Sequence, residues 1–148
     1  MTESDFWVWL STTILMPKIC TLSECPCRRT SFNFVSCFEP FLSKFPNDFT
    51  NKCWWIQPDE ITGLAINYQN VDELHQIGVF PKLYTLSLSR NKLTHIEEGV
   101  FQSNEGLRFL AIAENDLTSI ESGAFDPLIN ANAIHLSDNP NLKNITTQ

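Results

Sequence analysis

The chain has 148 residues, 43% of them hydrophobic and 18% charged, which suits one globular domain and excludes a disordered one. Its formal charge of −7 excludes the concentrated positive surface that nucleic acids and anionic membranes need. Residues 61–148 hold ten acids against five bases, an excess that reads as a solvated face.

In chain order the first feature is the apolar run Phe6–Met16 (FWVWLSTTILM). It is far shorter than the roughly 20 residues a spanning helix needs, and it has the length of a signal-peptide core. Glu3 and Asp5 precede it where positive charge is usual, and no small-x-small site follows before Pro17. Residues 1–19 are read as a leader of signal-peptide type.

All the cysteines follow within a short stretch: Cys20, Cys25, Cys27, Cys37 and Cys53. A thiol-rich segment joined to a thiol-free one is what a disulfide-stapled module fused to a self-sufficient unit would show. Structural zinc is the competing reading, but it usually takes two Cys-x-x-Cys pairs or Cys pairs with His pairs. Here there is one Cys-x-Cys and no nearby His. Phe32, Phe34 and Ser36 alternate with Asn33 and Val35, as a covering strand would. Cys53 is the odd cysteine, expected as a buried free thiol beside Trp54 and Trp55, or else paired with another chain.

From Ile61 onward the sequence repeats. Leu83, Leu86, Leu88, Asn91, Leu93, Ile96, Gly99 and Phe101 recur as Leu107, Leu110, Ile112, Asn115, Leu117, Ile120, Gly123 and Phe125. Ala131, Ile134, Leu136 and Asn139 open a further unit, with Leu142 and Ile145 displaced by at most one place after Asn139-Pro140. Backwards, Ile61, Leu64, Ile66, Val71 and Leu74 fit a shorter unit with Gln69 at the Asn position. In Leu86-Ser87-Leu88, alternation puts both leucines on one face of a short strand. Asn91, Asn115 and Asn139 fall where the chain turns, so their amides are expected to pair with backbone groups in a ladder. Gly99 and Gly123 suit a bend that needs a positive φ or a close backbone approach.

These residues resemble the extracellular leucine-rich-repeat family, with its L-x-x-L-x-L-x-x-N-x-L motif and trailing G-x-F. The stretch Cys20-x4-Cys25-Pro-Cys27-x9-Cys37, then Leu42, Phe45 and Pro46, resembles the family's cysteine-rich N-terminal flank. The resemblance implies a leucine-rich-repeat solenoid of the α/β type. A short parallel sheet would line the concave face, the convex side would be irregular or 3₁₀, and a disulfide-stapled cap would close the N-terminal end. It also implies bridges Cys20–Cys27 and Cys25–Cys37, although four cysteines permit three pairings and spacing does not choose among them. The expected organisation is a cap over 20–60 and repeats over 61–82, 83–106, 107–130 and an incomplete 131–148. The link from Pro46 to Ile61 is longer than usual in the family. Asn104 stands where Leu128 stands one unit later, so looser packing is expected there.

The resemblance makes the outward residues of the concave strands the ligand platform. They run through Gly63, Ala65, Asn67 and Tyr68, then Thr85, Ser87, Ser89 and Arg90. Phe109, Ala111, Ala113 and Glu114 come next, followed by Ala133, His135, Ser137 and Asp138. Tyr68, Arg90, Phe109, Glu114, His135 and Asp138 are the candidate binding residues, and Tyr68, Arg90 and Phe109 are of the hot-spot kind. The expected function is extracellular protein binding, by a receptor, an adhesion molecule or a secreted matrix protein, with a protein ligand or co-receptor as partner. An intracellular repeat scaffold, with its thiols reduced, is the alternative. Catalysis is not expected. His135, Ser137 and Asp138 would lie on alternating faces without an oxyanion hole, and neither a phosphate loop nor metal-ligand spacing is present, so no metal or cofactor is assigned. Asn144-Ile145-Thr146 is an N-glycosylation sequon. The last unit stops before a G-x-F closure or a C-terminal cap, so a longer parent ectodomain is expected.

Overall fold

The computed structural model describes residues 27–31, 33–37, 45, 57–78 and 80–145. Its strands, in order, are β1 (Cys27–Ser31), β2 (Phe34–Cys37), β3 (Gly63–Ile66), β4 (Thr85–Ser87), β5 (His95–Ile96), β6 (Phe109–Ala111), β7 (Ser119–Ile120), β8 (Ala133–His135) and β9 (Asn144–Ile145). One sheet has six strands in the order β1-β2-β3-β4-β6-β8, and a second has the order β5-β7-β9. Apart from the antiparallel β1–β2 hairpin, every pairing is parallel. The chain is therefore a solenoid in which each coil from the second onward adds one strand to each wall.

The strand register reproduces the spacing of the sequence. Leu64 lies opposite Leu86, Leu86 opposite Leu110 and Leu110 opposite Ile134. On the other wall Ile96 faces Ile120 and Ile120 faces Ile145, one residue further along than a strict 24-residue step and in keeping with the displacement after Asn139-Pro140. Period-2 alternation sends Leu86 and Leu110 into the core, while Thr85, Ser87 and Ala111 stay half-buried and Phe109 exposed on the outer face. Leu88, Leu93, Ile96 and Phe101 fill the middle coil and are fully buried. The Phe101 and Phe125 rings stack between coils at 5.9 Å. The returning segment turns at Gly99 (φ 81°) and Gly123 (φ 84°), left-handed positions where glycine carries no Cβ penalty. These turns donate from Gln102 N to Gly99 O and from Asp126 N to Gly123 O. The return side thus carries two-residue strands joined by tight turns.

Three asparagines tie neighbouring coils together. Asn115 Nδ2 donates to Leu88 O of the preceding coil (3.0 Å) and to Ile112 O and Ala113 O of its own, while its Oδ1 accepts from Leu93 N (3.1 Å). Asn91 makes the same set with Ile66, Leu88 and Val71, and Asn139 with Ile112, Leu136 and Leu117. A primary amide suits this place because it has two donors and an acceptor for backbone groups that the turn leaves unpaired. In the first coil Gln69 reaches back to Cys37 O of β2 (3.4 Å), while its Oε1 stays unpaired.

The N-terminal hairpin closes one end of the sheet. β2 lies parallel to β3, with Val35 and Cys37 buried against Leu64 and Ile66. The set turned to the coil is therefore Val35 and Cys37, and not Phe34 and Ser36. Phe34 lies on the concave side, half-buried, where a Cβ on Gly63 would run into its ring. The bridge is also not the expected one. Cys27 is bonded to Cys37, because the antiparallel register of β1 and β2 sets these two residues directly opposite each other. That pairing replaces both Cys20–Cys27 and Cys25–Cys37. Cys20, Cys25, Cys53, Phe32, Leu42, Pro46, Trp54, Trp55 and the Phe6–Met16 run lie outside the described residues.

Candidate binding face

The six-stranded sheet presents a floor of small side chains. Ser36, Ala65, Ser87 and Ala111 are aligned across it in register, and the larger His135 ends the row. Asn67 braces one end of the floor, its Oδ1 accepting from Ser87 Oγ and Ser89 N, both at 2.9 Å.

Tyr68, Arg90, Glu114 and Asp138 occupy equivalent places just past the strands, each immediately before the ladder residue. All four are left-handed, with φ of 58°, 60°, 54° and 56°. For non-glycine residues this conformation costs roughly 1–2 kcal/mol apiece. The first three are held there by the coil that follows, since Tyr68 N donates to Ser89 O, Arg90 N to Ala113 O and Glu114 N to Ser137 O. The side chains therefore stand in one row along the rim. Arg90 Nε donates to Glu114 Oε1 at 2.8 Å, its guanidinium lies over the Tyr68 ring at 4.6 Å, and it also donates to the Tyr68 hydroxyl. Asp138 ends the row with no ion pair among the described residues.

The opposite rim, where the strands begin, is aromatic. Phe109 packs against Tyr84 at 5.4 Å, and the Arg108 guanidinium lies 5.7 Å from the Tyr84 ring centre. Tyr84 and Arg108 precede their strands, outside the outward positions that alternation picks out, and they share one place in consecutive 24-residue units. The four most exposed large hydrophobics among the described residues are Tyr68, Tyr84, Phe109 and Ile129, and three of them flank this one floor.

On the other wall, His95 Nδ1 is hydrogen-bonded to Ser119 Oγ at 2.6 Å and His95 Nε2 lies 3.4 Å from Glu121 Oε1. Glu121 Oε2 accepts from Glu98 N at 2.8 Å. That backbone donor, and then His95, hold the Glu121 carboxyl below the usual glutamate range. The trio joins one coil to the next, and the carboxylate is engaged by the backbone of the neighbouring coil. His135 stands apart from it, exposed on β8. Among the described residues no group of three or more His, Cys, Asp or Glu is placed to hold a metal ion, and no helix is long and apolar enough to cross a membrane.

The repeated coil and its asparagine contacts have a counterpart among known families, since residues 81–140 match the family model described as leucine rich repeat. Over these residues the chain is a leucine-rich-repeat solenoid. The match covers the second and third coils and the strand of the fourth, and the Cys27–Cys37 bridge ahead of them fits the cysteine-rich N-terminal flank of such proteins. No curated protein matches the chain. Leucine-rich repeats generally serve as protein-binding modules and are typically non-enzymatic.

Proposed function

We propose that this leucine-rich-repeat solenoid binds a protein partner on its concave face and does so outside the cell. The observation that carries the reading is the concentration of exposed Tyr68, Tyr84 and Phe109, two of them stacked with arginines, around a floor of small side chains. Aromatic and arginine side chains dominate the energetics of protein interfaces, and a low floor lets a partner approach closely. The Cys27–Cys37 bridge supports an oxidising compartment, where disulfides persist. The roles assigned to Tyr68, Arg90, Phe109, Glu114, His135 and Asp138, and a glycan on Asn144, belong to this proposal. So does a cell-surface receptor, adhesion or secreted context.

The test is to display the full chain as an Fc fusion against an arrayed library of ectodomains. Any hit is then challenged with the floor substitutions Ser87→Arg and Ala111→Arg, and with the return-side substitution Gln102→Arg. Loss with the floor pair and retention with Gln102→Arg supports the reading; the opposite pattern overturns it.

A further inference from the structure

The N-terminal hairpin carries a charge onto the concave face. Residues opposite one another in an antiparallel pair share a side of the sheet, and Cys27, facing Cys37, is turned to the core. The next pair, Arg28 with Ser36, is therefore on the concave side, in line with Ala65, Ser87, Ala111 and His135. Arg28 and Asp138 are both exposed, and neither has an ion pair among the described residues, whereas Arg90 and Glu114 are paired with each other. The face thus sets Arg28, Arg90 and Arg108 against Glu114 and Asp138, close to neutral in a chain of charge −7. Its two ends are opposite in sign, a cation on β1 and an anion just past β8.

Two such faces match when one is turned over onto the other. Arg28 and Asp138 are separated by five strand spacings, about 24 Å, and Asp138 lies three residues past the level of Arg28, about 10 Å along the strands. A two-fold axis between facing sheets exchanges these residues only if it runs along the perpendicular bisector of the line joining them. On these spacings the bisector crosses the floor between β3 and β4, beside the small Ser87, and leaves it at the strand starts between Tyr84 and Phe109. One operation therefore sets Arg28 against Asp138 of the second copy, Asp138 against its Arg28, and Tyr84 against its Phe109.

We propose that a second copy of this chain occupies the concave face, in a two-fold dimer whose end charges pair reciprocally and whose aromatic rims meet at the axis. This rests on the concave face being the binding face, and it adds what binds there. An overlap of about 24 Å by 20 Å buries about 1,000 Å² over both copies, the low end for a specific interface. The dimer is therefore one that dissociates at roughly micromolar concentration.

Sedimentation equilibrium of the full chain over roughly 1–200 μM tests it. Wild type should pass from monomer to dimer and no further, because a two-fold contact closes on itself. Asp138→Arg sets arginine against Arg28 twice per dimer and should weaken dimerisation about tenfold. Its backbone is tolerated, since Arg90 already holds the equivalent left-handed place. Arg28→Asp should do the same by opposing two carboxylates. The double variant restores each pair with its sign reversed and should return to within about threefold of wild type. Phe109→Ser should also weaken the dimer, whereas Glu97→Arg, the same charge change on the exposed return side, should not. A monomer at every concentration, growth past the dimer, single substitutions without effect, equal weakening by Glu97→Arg, or a double variant no better than the singles would overturn the second copy. If ectodomain hits were still lost with Ser87→Arg and Ala111→Arg, the concave reading would survive that failure. If they were not, both readings would fall.

Discussion

Asn104 is the residue most at odds with its surroundings. It is 2% exposed, and neither side-chain amide atom has a hydrogen-bond partner. Its backbone is ordinary for the place: Asn104 N donates to Phe101 O and its carbonyl accepts from Leu107 N, as Leu128 does with Phe125 and Ala131. The preceding coil has Phe80 in this column and the following coil has Leu128, both buried. The column therefore accepts a side chain of leucine size without a backbone change. Leucine has the branching of asparagine at Cγ, so Asn104→Leu removes the amide and keeps the shape. A buried unsatisfied polar group costs about 1–3 kcal/mol, so we predict a gain of about 2 kcal/mol. With a urea m-value of about 2 kcal/mol/M, the midpoint rises by about 1 M. Leu128→Asn, the reverse change one coil on, should lower the midpoint by at least as much. Equilibrium unfolding of the full chain followed by circular dichroism reads both. A lower or unchanged midpoint for Asn104→Leu would refute the reasoning, because it would mean that the amide is satisfied in the folded chain.

Three further outcomes follow from the contacts. Asn115→Ala strands Leu93 N and the carbonyl partners of the amide in the interior and should cost about 3 kcal/mol in urea unfolding, more than Gln69→Ala, whose Oε1 is already unpaired. Glu121 has a lowered folded pKa, so its contribution to stability is fully present above the unfolded-chain value and is lost as pH falls through the lower folded value. Melting temperatures of wild type and Glu121→Gln should therefore converge under acid, and a constant gap down to the most acidic condition would contradict this. Peptide mapping without reductant should recover Cys27 linked to Cys37, and removing that bridge should cost about 3 kcal/mol by loop-closure entropy.

What the sequence made legible was set by local, repeated physics. The strand register follows from Leu86, Leu110 and Ile134 recurring at a fixed step, and Gly99 and Gly123 advertise a turn that needs positive φ. The extra residue after Asn139 was visible as a shift of Leu142 and Ile145 and reappears in the pairing of Ile120 with Ile145. Facts that depend on one segment meeting another were not legible. The pairing of Cys27 with Cys37 depends on the hairpin register, and the outward turn of Phe34 depends on Gly63 leaving room one strand away. The stacking of Arg90 on Tyr68 and its pairing with Glu114 join residues 22 and 24 positions away, which no local pattern reveals. Return strands of two residues, such as His95–Ile96 and Ser119–Ile120, are too short for alternation to announce them.

The central claim, that the sheet with the small-residue floor is the working surface, is tested most directly by amide hydrogen exchange of the full chain with and without an ectodomain partner recovered from the array. The account predicts that added protection concentrates in residues 63–68, 85–90, 109–114 and 133–138. Protection confined to the return wall, around 95–103 and 119–127, with the floor unchanged, would contradict it.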